Sequence, residues 1–287
     1  WQLPSPSASI CRLIPAVDDL REAIDQALSA PLDFAGLDQA IVPGDLVVLA
    51  VDPSVPSLPR IVSGIVQWLV EHGTQPSNVR IVVAAECGQV DSLAEQLQLA
   101  GLSSVSIEKH DPDDPQKLSY IAANDLANPI YLNRTLVDAD VLIPISCSRS
   151  TETIDYLGAF GIFPLFSSRQ TIGQLRSYSR LAREGERDAC LAETNQAAWL
   201  LGLLIAIQII PTANDEVAEI LCGTMETLED KVQARLASIR QMGNGHPHEA
   251  DLVIALLDGA DQNWTQLARA LHYALRVCCV GGSIVLC

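Results

Sequence analysis

Two hydrophobic rhythms take turns along this chain. A β-branched run at Asp45–Val51 follows the turn Pro43-Gly44, and residues Pro59 to His72 then repeat at helical period until Gly73. A strand pattern at Val79–Ala85, a helical stretch at Ser92–Ala100 ended by Gly101, and strand patterns at Val105–Lys109 and Val141–Ile145 continue the alternation. Short apolar runs separated by helical stretches are the mark of parallel βαβ units, whose strands are covered on both faces. The pattern therefore predicts an α/β fold with a doubly wound, mainly parallel sheet.

Beyond Ile145 the rhythm loosens. Ser146 to Ser168, rich in Ser, Thr, Gly and Phe, is expected to be a long loop at the strand ends, where open α/β sheets bind ligands. Helical patterns follow at Thr171–Arg187 and Glu216–Gln241, with Ala189–Ile210 a helix running into a strand. The run Gly243-Asn244-Gly245-His246-Pro247 is the expected boundary between a first α/β domain, 1–243, and a second, 244–287. Within the second, a strand at Ala250–Leu257, a helix at Asn263–Arg276 and a strand at Gly281–Cys287 make one βαβ unit. The chain opens at Trp1 and closes inside that last apolar run, so the second domain, and with it half of an inter-domain cleft, is expected to be incomplete here.

Charge narrows the partners. Eighteen Lys and Arg against thirty-five Asp and Glu give a net charge of −17, which argues against nucleic acid, whose binding draws on neutralised phosphates. The longest apolar run, Ala197 to Ile210, is broken by Gln208 and falls short of the ~20 residues that span a bilayer, so no membrane helix is expected. Eight cysteines without CxxC or Cys/His zinc spacing read as buried thiols of a reducing cytoplasm, with no metal site.

Candidate chemistry sits at strand ends. Asp52 directly follows the first strand in Asp52-Pro53-Ser54-Val55-Pro56, where a carboxylate orients a hydroxyl or a base, or simply caps a turn. Cys87 follows the second strand without a nearby histidine and is taken as structural. His110, beside Asp111 after the third strand, is a candidate acid or base or a loop residue. Arg176, Arg180, Arg183 and Arg187 are spaced to share one helix face, able to take a carboxylate or phosphate bidentately or to pair with acidic surface. No GxGxxG or GxxxxGK[ST] motif occurs, so neither a dinucleotide fingerprint nor a P-loop is supported.

Several blocks, in order along almost the whole chain, resemble the lactate racemase (LarA-like) family. They are Ala27-Leu28-Ser29-Ala30-Pro31, Val51-Asp52 with its prolines, His110-Asp111, Asn133-Arg134 with Asp138-Ala139-Asp140, Gly223-Thr224-Met225-Glu226, and Asp261-Gln262-Asn263-Trp264-Thr265-Gln266-Leu267-Ala268-Arg269. The resemblance implies two α/β domains around a cleft, and interconversion of 2-hydroxyacid stereoisomers by hydride transfer to a nickel-pincer nucleotide. That cofactor is attached through a lysine, its nickel is held by a histidine, and two more histidines act as acid and base. On the matching positions this chain keeps Asp52 and Gln266 but departs at the chemistry. Val55 stands for a substrate-binding arginine, Glu86-Cys87-Gly88-Gln89 lacks the first catalytic histidine, and Ser150-Thr151 to Phe160-Gly161 lacks the second and the attachment lysine. Arg176 falls near the nickel ligand, and Arg269 replaces a lysine. No lysine lies between Lys117 and Lys231 and no histidine between His110 and His246, so no shift of alignment restores them.

The expectation is a divergent member of the 2-hydroxyacid racemase lineage, without nickel-pincer cofactor, binding a small anion through Arg176, Gln266 and Arg269 near Asp52 and His110. An isomerase with altered chemistry on a hydroxyacid or sugar acid, and a non-catalytic interaction subunit, are the alternatives. Oligomeric state is not legible.

Overall fold

The fold is taken from a computed structural model, which describes residues 14–123, 129–151, 153, 156, 158, 160–177, 183, 185–212, 214–242, 250–257 and 264–287. Its helices are α1 (Leu20–Ser29), α2 (Leu37–Ala40), α3 (Leu58–Glu71), α4 (Val90–Leu99), α5 (Arg134–Val137), α6 (Arg169–Leu175), α7 (Glu186–Leu200), α8 (Met225–Met242) and α9 (Trp264–Val277). Its strands are β1 (Val47–Val51), β2 (Val79–Val83), β3 (Ser106–Lys109), β4 (Leu118–Ala123), β5 (Pro129–Asn133), β6 (Val141–Cys147), β7 (Ala206–Pro211), β8 (Val217–Gly223), β9 (Ala250–Ala255) and β10 (Cys278–Leu286).

Six strands form the central sheet in the order β3-β2-β1-β6-β7-β8, parallel except for the β7–β8 pair. All five residues of β1 are buried, as expected of a strand with neighbours on both sides and layers on both faces. Side chains alternate between those faces. Val47, Leu49 and Val51 join the core built with α1, α3 and α4, whereas Val48 and Ala50 join a second core with Ile130, Leu132, Phe163 and Phe166. Each core removes several large side chains from water at ~25 cal/mol per Å² of apolar area, the term that holds the layers together.

The chain runs outward from β1 to β2 and β3, then returns to place β6 on the other side of β1. That reversal makes the β1–β6 boundary the switch point of the sheet, where the loops leaving the strands diverge and open a crevice. Val51 lies beside Ile145, and Asp52 N–H still donates to Ile145 O at 2.9 Å, so the ladder runs one residue past β1. Strands β9 and β10, with α9 between them, form a separate two-stranded parallel sheet. Among the described residues no helix is long and apolar enough to cross a membrane.

Two expectations need correction, and one pair of strands was not foreseen. Residues Glu216–Gln241 are not one helix: Val217–Gly223 is edge strand β8, and α8 starts after Thr224. At Gly223 the chain passes so close to Leu32 that an added Cβ would lie 2.6 Å from Leu32 Cβ, which is why glycine stands where the strand ends. The arginine stripe is likewise not one helix face. Arg176 is the C-cap of α6, Gly185 has φ +84° before α7, and Arg187 belongs to α7; Arg180 lies outside the described residues. Finally, β4 and β5 form an antiparallel pair between β3 and β6 that the periodicity did not reveal.

Candidate anion site at the sheet switch point

Strand alternation decides what faces the crevice. Asp52 continues the parity of Val48 and Ala50 and so points to the second face of the sheet. Ser146 of β6 has the same parity and lies beside Gln208 of β7 in register. Ser146, Gln208, Arg149, Tyr156, Arg176 and Glu229 help to line a cavity of about 30 Å³ at these strand ends. A water needs ~10–15 Å³ measured this way, so the space suits one or two waters.

Arg149 is the centre of the site. Its Nη2 lies 2.6 Å from Asp52 Oδ2, with both side chains largely buried, and its Nη1 donates to Cys147 O at 3.3 Å. Gln233 of α8 fixes the backbone on either side, its Nε2 donating to Arg149 O at 2.9 Å while its Oε1 accepts from Thr151 N–H at 3.1 Å. Arg187 donates to Thr151 O and Thr153 O from the α7 side. The loop after β6 is thus held by side chains from two helices. Sequence reasoning did not single out Arg149, although its place just past β6, beside the end of β1, was a usable signal once the strand order is known.

Asp52 accepts from Ser54 N–H at 3.0 Å and Cys147 N–H at 3.4 Å, so it is both a turn residue and an ion-pair partner. Burial pushes its carboxyl pKa upward, but Arg149, the Ser54 N–H and Arg269 of α9 outweigh that and hold it below the usual range. Arg269 therefore acts on Asp52 from the C-terminal βαβ unit. Gln266 also falls in α9, with its side chain outside the described residues.

Arg176 lines the cavity from the C-terminus of α6 and pairs with Glu86 at 3.1 Å. Across the cavity, Tyr156 Oη donates to Glu229 Oε1, and burial together with that carboxylate drives the phenol pKa up. Two hydroxyls are left over. Ser146 Oγ and Ser148 Oγ are buried and, among the described residues, have no hydrogen-bond partner, an arrangement that costs about 1–3 kcal/mol per group unless water or a ligand answers it.

His110 is not brought to this cavity. Its Nε2–H donates to Ser167 O at 2.8 Å, and Asn133 Nδ2 donates to its Nδ1 at 3.4 Å. Asn133 is oriented by Glu108 and by the Thr135 N–H, so the ring is a neutral tautomer with both nitrogens in use. Burial lowers its pKa. Such a ring knits β3 to the 166–167 turn and leaves no nitrogen for a substrate proton. Cys87 is buried, and its carbonyl accepts from Lys109 Nζ at 2.9 Å, which suits a structural role.

Fold and site together define a doubly wound α/β protein with a guanidinium-lined cavity at its switch point. The family model of the lactate racemase N-terminal domain matches residues 7–182, more than half of the chain, and the protein belongs to that family. No curated protein matches it. Among solved structures it is similar to the lactate racemase apoprotein of Thermoanaerobacterium thermosaccharolyticum, with a TM-score of 0.72 and 17% identity over 99% of this chain and 70% of that one.

Proposed function

We propose that this lactate racemase family member binds a small carboxylate or phosphate at the switch-point cavity and does so without nickel-pincer chemistry. The first half is carried by the conjunction of Arg149, Arg176 and the Ser146 hydroxyl, which has no hydrogen-bond partner among the described residues, around one buried space. Guanidinium groups recognise such anions through paired N–H donors, and a buried hydroxyl supplies one more.

The second half rests on the donor inventory. A pincer nucleotide needs a lysine for attachment and an imidazole for nickel, and neither residue type is among the described residues that line the cavity. Among the described residues no group of three or more His, Cys, Asp or Glu could hold a metal. The residues present do not fit the group. What they can do is neutralise and orient a carboxylate.

Intact mass and metal analysis of the purified chain test the absence of the cofactor: the unmodified mass without stoichiometric nickel is expected, and a bound nucleotide or nickel at one equivalent overturns the proposal. Thermal shift with glycolate and with inorganic phosphate tests the anion site. Stabilisation that Arg176→Gln weakens is expected, and no shift with either anion removes the site.

A further inference from the structure

A carboxylate already holds the guanidinium at the cavity wall. Arg149 sits between Asp52 and the hollow: it lines the cavity while its Nη2 is 2.6 Å from Asp52 Oδ2. Asp52 in turn feels a second cation, Arg269, from another part of the fold. Both guanidiniums that line the walls already meet a carboxylate, Arg149 that of Asp52 and Arg176 that of Glu86, and Glu229 adds a third. A monoanion that takes the place of one of these carboxylates leaves the charge at its guanidinium unchanged, whereas a dianion adds to it.

We propose that Asp52 is a built-in competitor for the ligand, so that a monocarboxylate binds by taking the Arg149 guanidinium from Asp52 while the released Asp52 is held by Arg269. The exchange replaces one carboxylate by another on the same Nη2 donor, so the charge-assisted contact is conserved. It also explains how a group larger than water enters a space of about 30 Å³, because the Arg149 head moves as the ligand arrives. The Ser146 hydroxyl, unpartnered among the described residues, gains an acceptor in the same step. Carboxylate should be preferred over phosphate, whose second charge exceeds that of the carboxylate it displaces. This inference rests on the anion-site reading above.

Calorimetric titration of the full chain with glycolate and inorganic phosphate tests it, using Asp52→Asn, Arg269→Gln and, as a control on an exposed ion pair away from the cavity, Arg169→Gln. Asp52→Asn should bind glycolate about tenfold more tightly, since a like charge at contact distance is removed. Arg269→Gln should bind about threefold more weakly, since freed Asp52 loses its second partner. The control should match wild type, and phosphate should bind more weakly than glycolate throughout. No binding by any variant overturns the anion site itself; wild-type binding that Asp52→Asn leaves equal or weakens overturns the exchange alone. Should Asp52→Asn fail to fold, a crystal structure of the wild type with glycolate decides. Arg149 more than about 4 Å from Asp52, beyond ion-pair reach, supports the exchange, and a persisting pair overturns it.

Discussion

Asp52 shows how a buried charge ties stability to pH. Its carboxyl is held below the ordinary value of about 3.9 chiefly because Arg149 outweighs the cost of burial. The folded state therefore binds fewer protons than the unfolded one near that value, and the stabilisation is complete above pH about 4 and lost as pH falls through the folded value. Asp52→Asn leaves Arg149 buried without its counter-charge, a change that costs about 3–5 kcal/mol. Urea unfolding should show that loss at pH 7 and a narrower gap at pH 3.5; an equal gap at both would deny the ion pair its role. His110 works in the same direction through a different charge type. Its pKa is lowered by burial from about 6.5, so the unfolded chain takes up a proton first and stability falls as pH drops below about 6.5. His110→Gln should flatten that slope in chemical unfolding between pH 6.5 and 5, and an unchanged slope would mean the ring is not the group responsible. At this scale the sequence placed Asp52 correctly at a strand end but not its partner. Arg149 becomes visible only when parallel pairing sets β6 beside β1.

Elements were legible where their pattern was unambiguous. The β1, β2, α3 and α4 regions emerged from periodicity because long apolar faces and the glycines at 73 and 101 mark their ends. Strand β8 was misread because Val217, Ile220 and Leu221 fit a helical spacing as well as an extended one, and a short run cannot separate the two. Pairing with β7 and a bridge from Leu32 to Gly223 decide the matter, and both are non-local. That bridge makes its own prediction. Leu32 N–H donates to Cys222 O at 2.7 Å and Thr224 N–H to Leu32 O at 3.1 Å, clamping the segment after α1 onto the end of β8. In Gly223→Ala the new methyl would meet Leu32 Cβ at 2.6 Å and its carbonyl oxygen at 2.7 Å. Backbone must move, at about 1–3 kcal/mol, and thermal unfolding should show the loss. A neutral effect would mean that this bridge is loose. The arginine stripe failed for the opposite reason: its i, i+4, i+7 spacing is a helical pattern, but Gly185 at φ +84° breaks the helix that would carry it.

The whole molecule places an arginine-lined cavity inside a strongly anionic body. A net charge of −17 means self-repulsion that the compact state bears more than the expanded one. The buried Asp52–Arg149 pair is shielded from salt by its surroundings, whereas surface charges more than ~10 Å apart are screened at 0.1 M ionic strength. Added salt should therefore relieve the repulsion without breaking the pair. Between about 10 and 150 mM sodium chloride, Tm should rise by about 2–4 °C, the shift that roughly 1 kcal/mol produces in a domain of 150–250 residues. Replacing four exposed acids, Asp18, Glu22, Asp38 and Glu95, by their amides should reduce this salt dependence, because it lowers the charge without touching the cavity. If Tm instead falls with salt, ion pairs such as Arg21–Glu71 and Arg169–Asp113 outweigh the net field, and the acidic excess is not what limits stability.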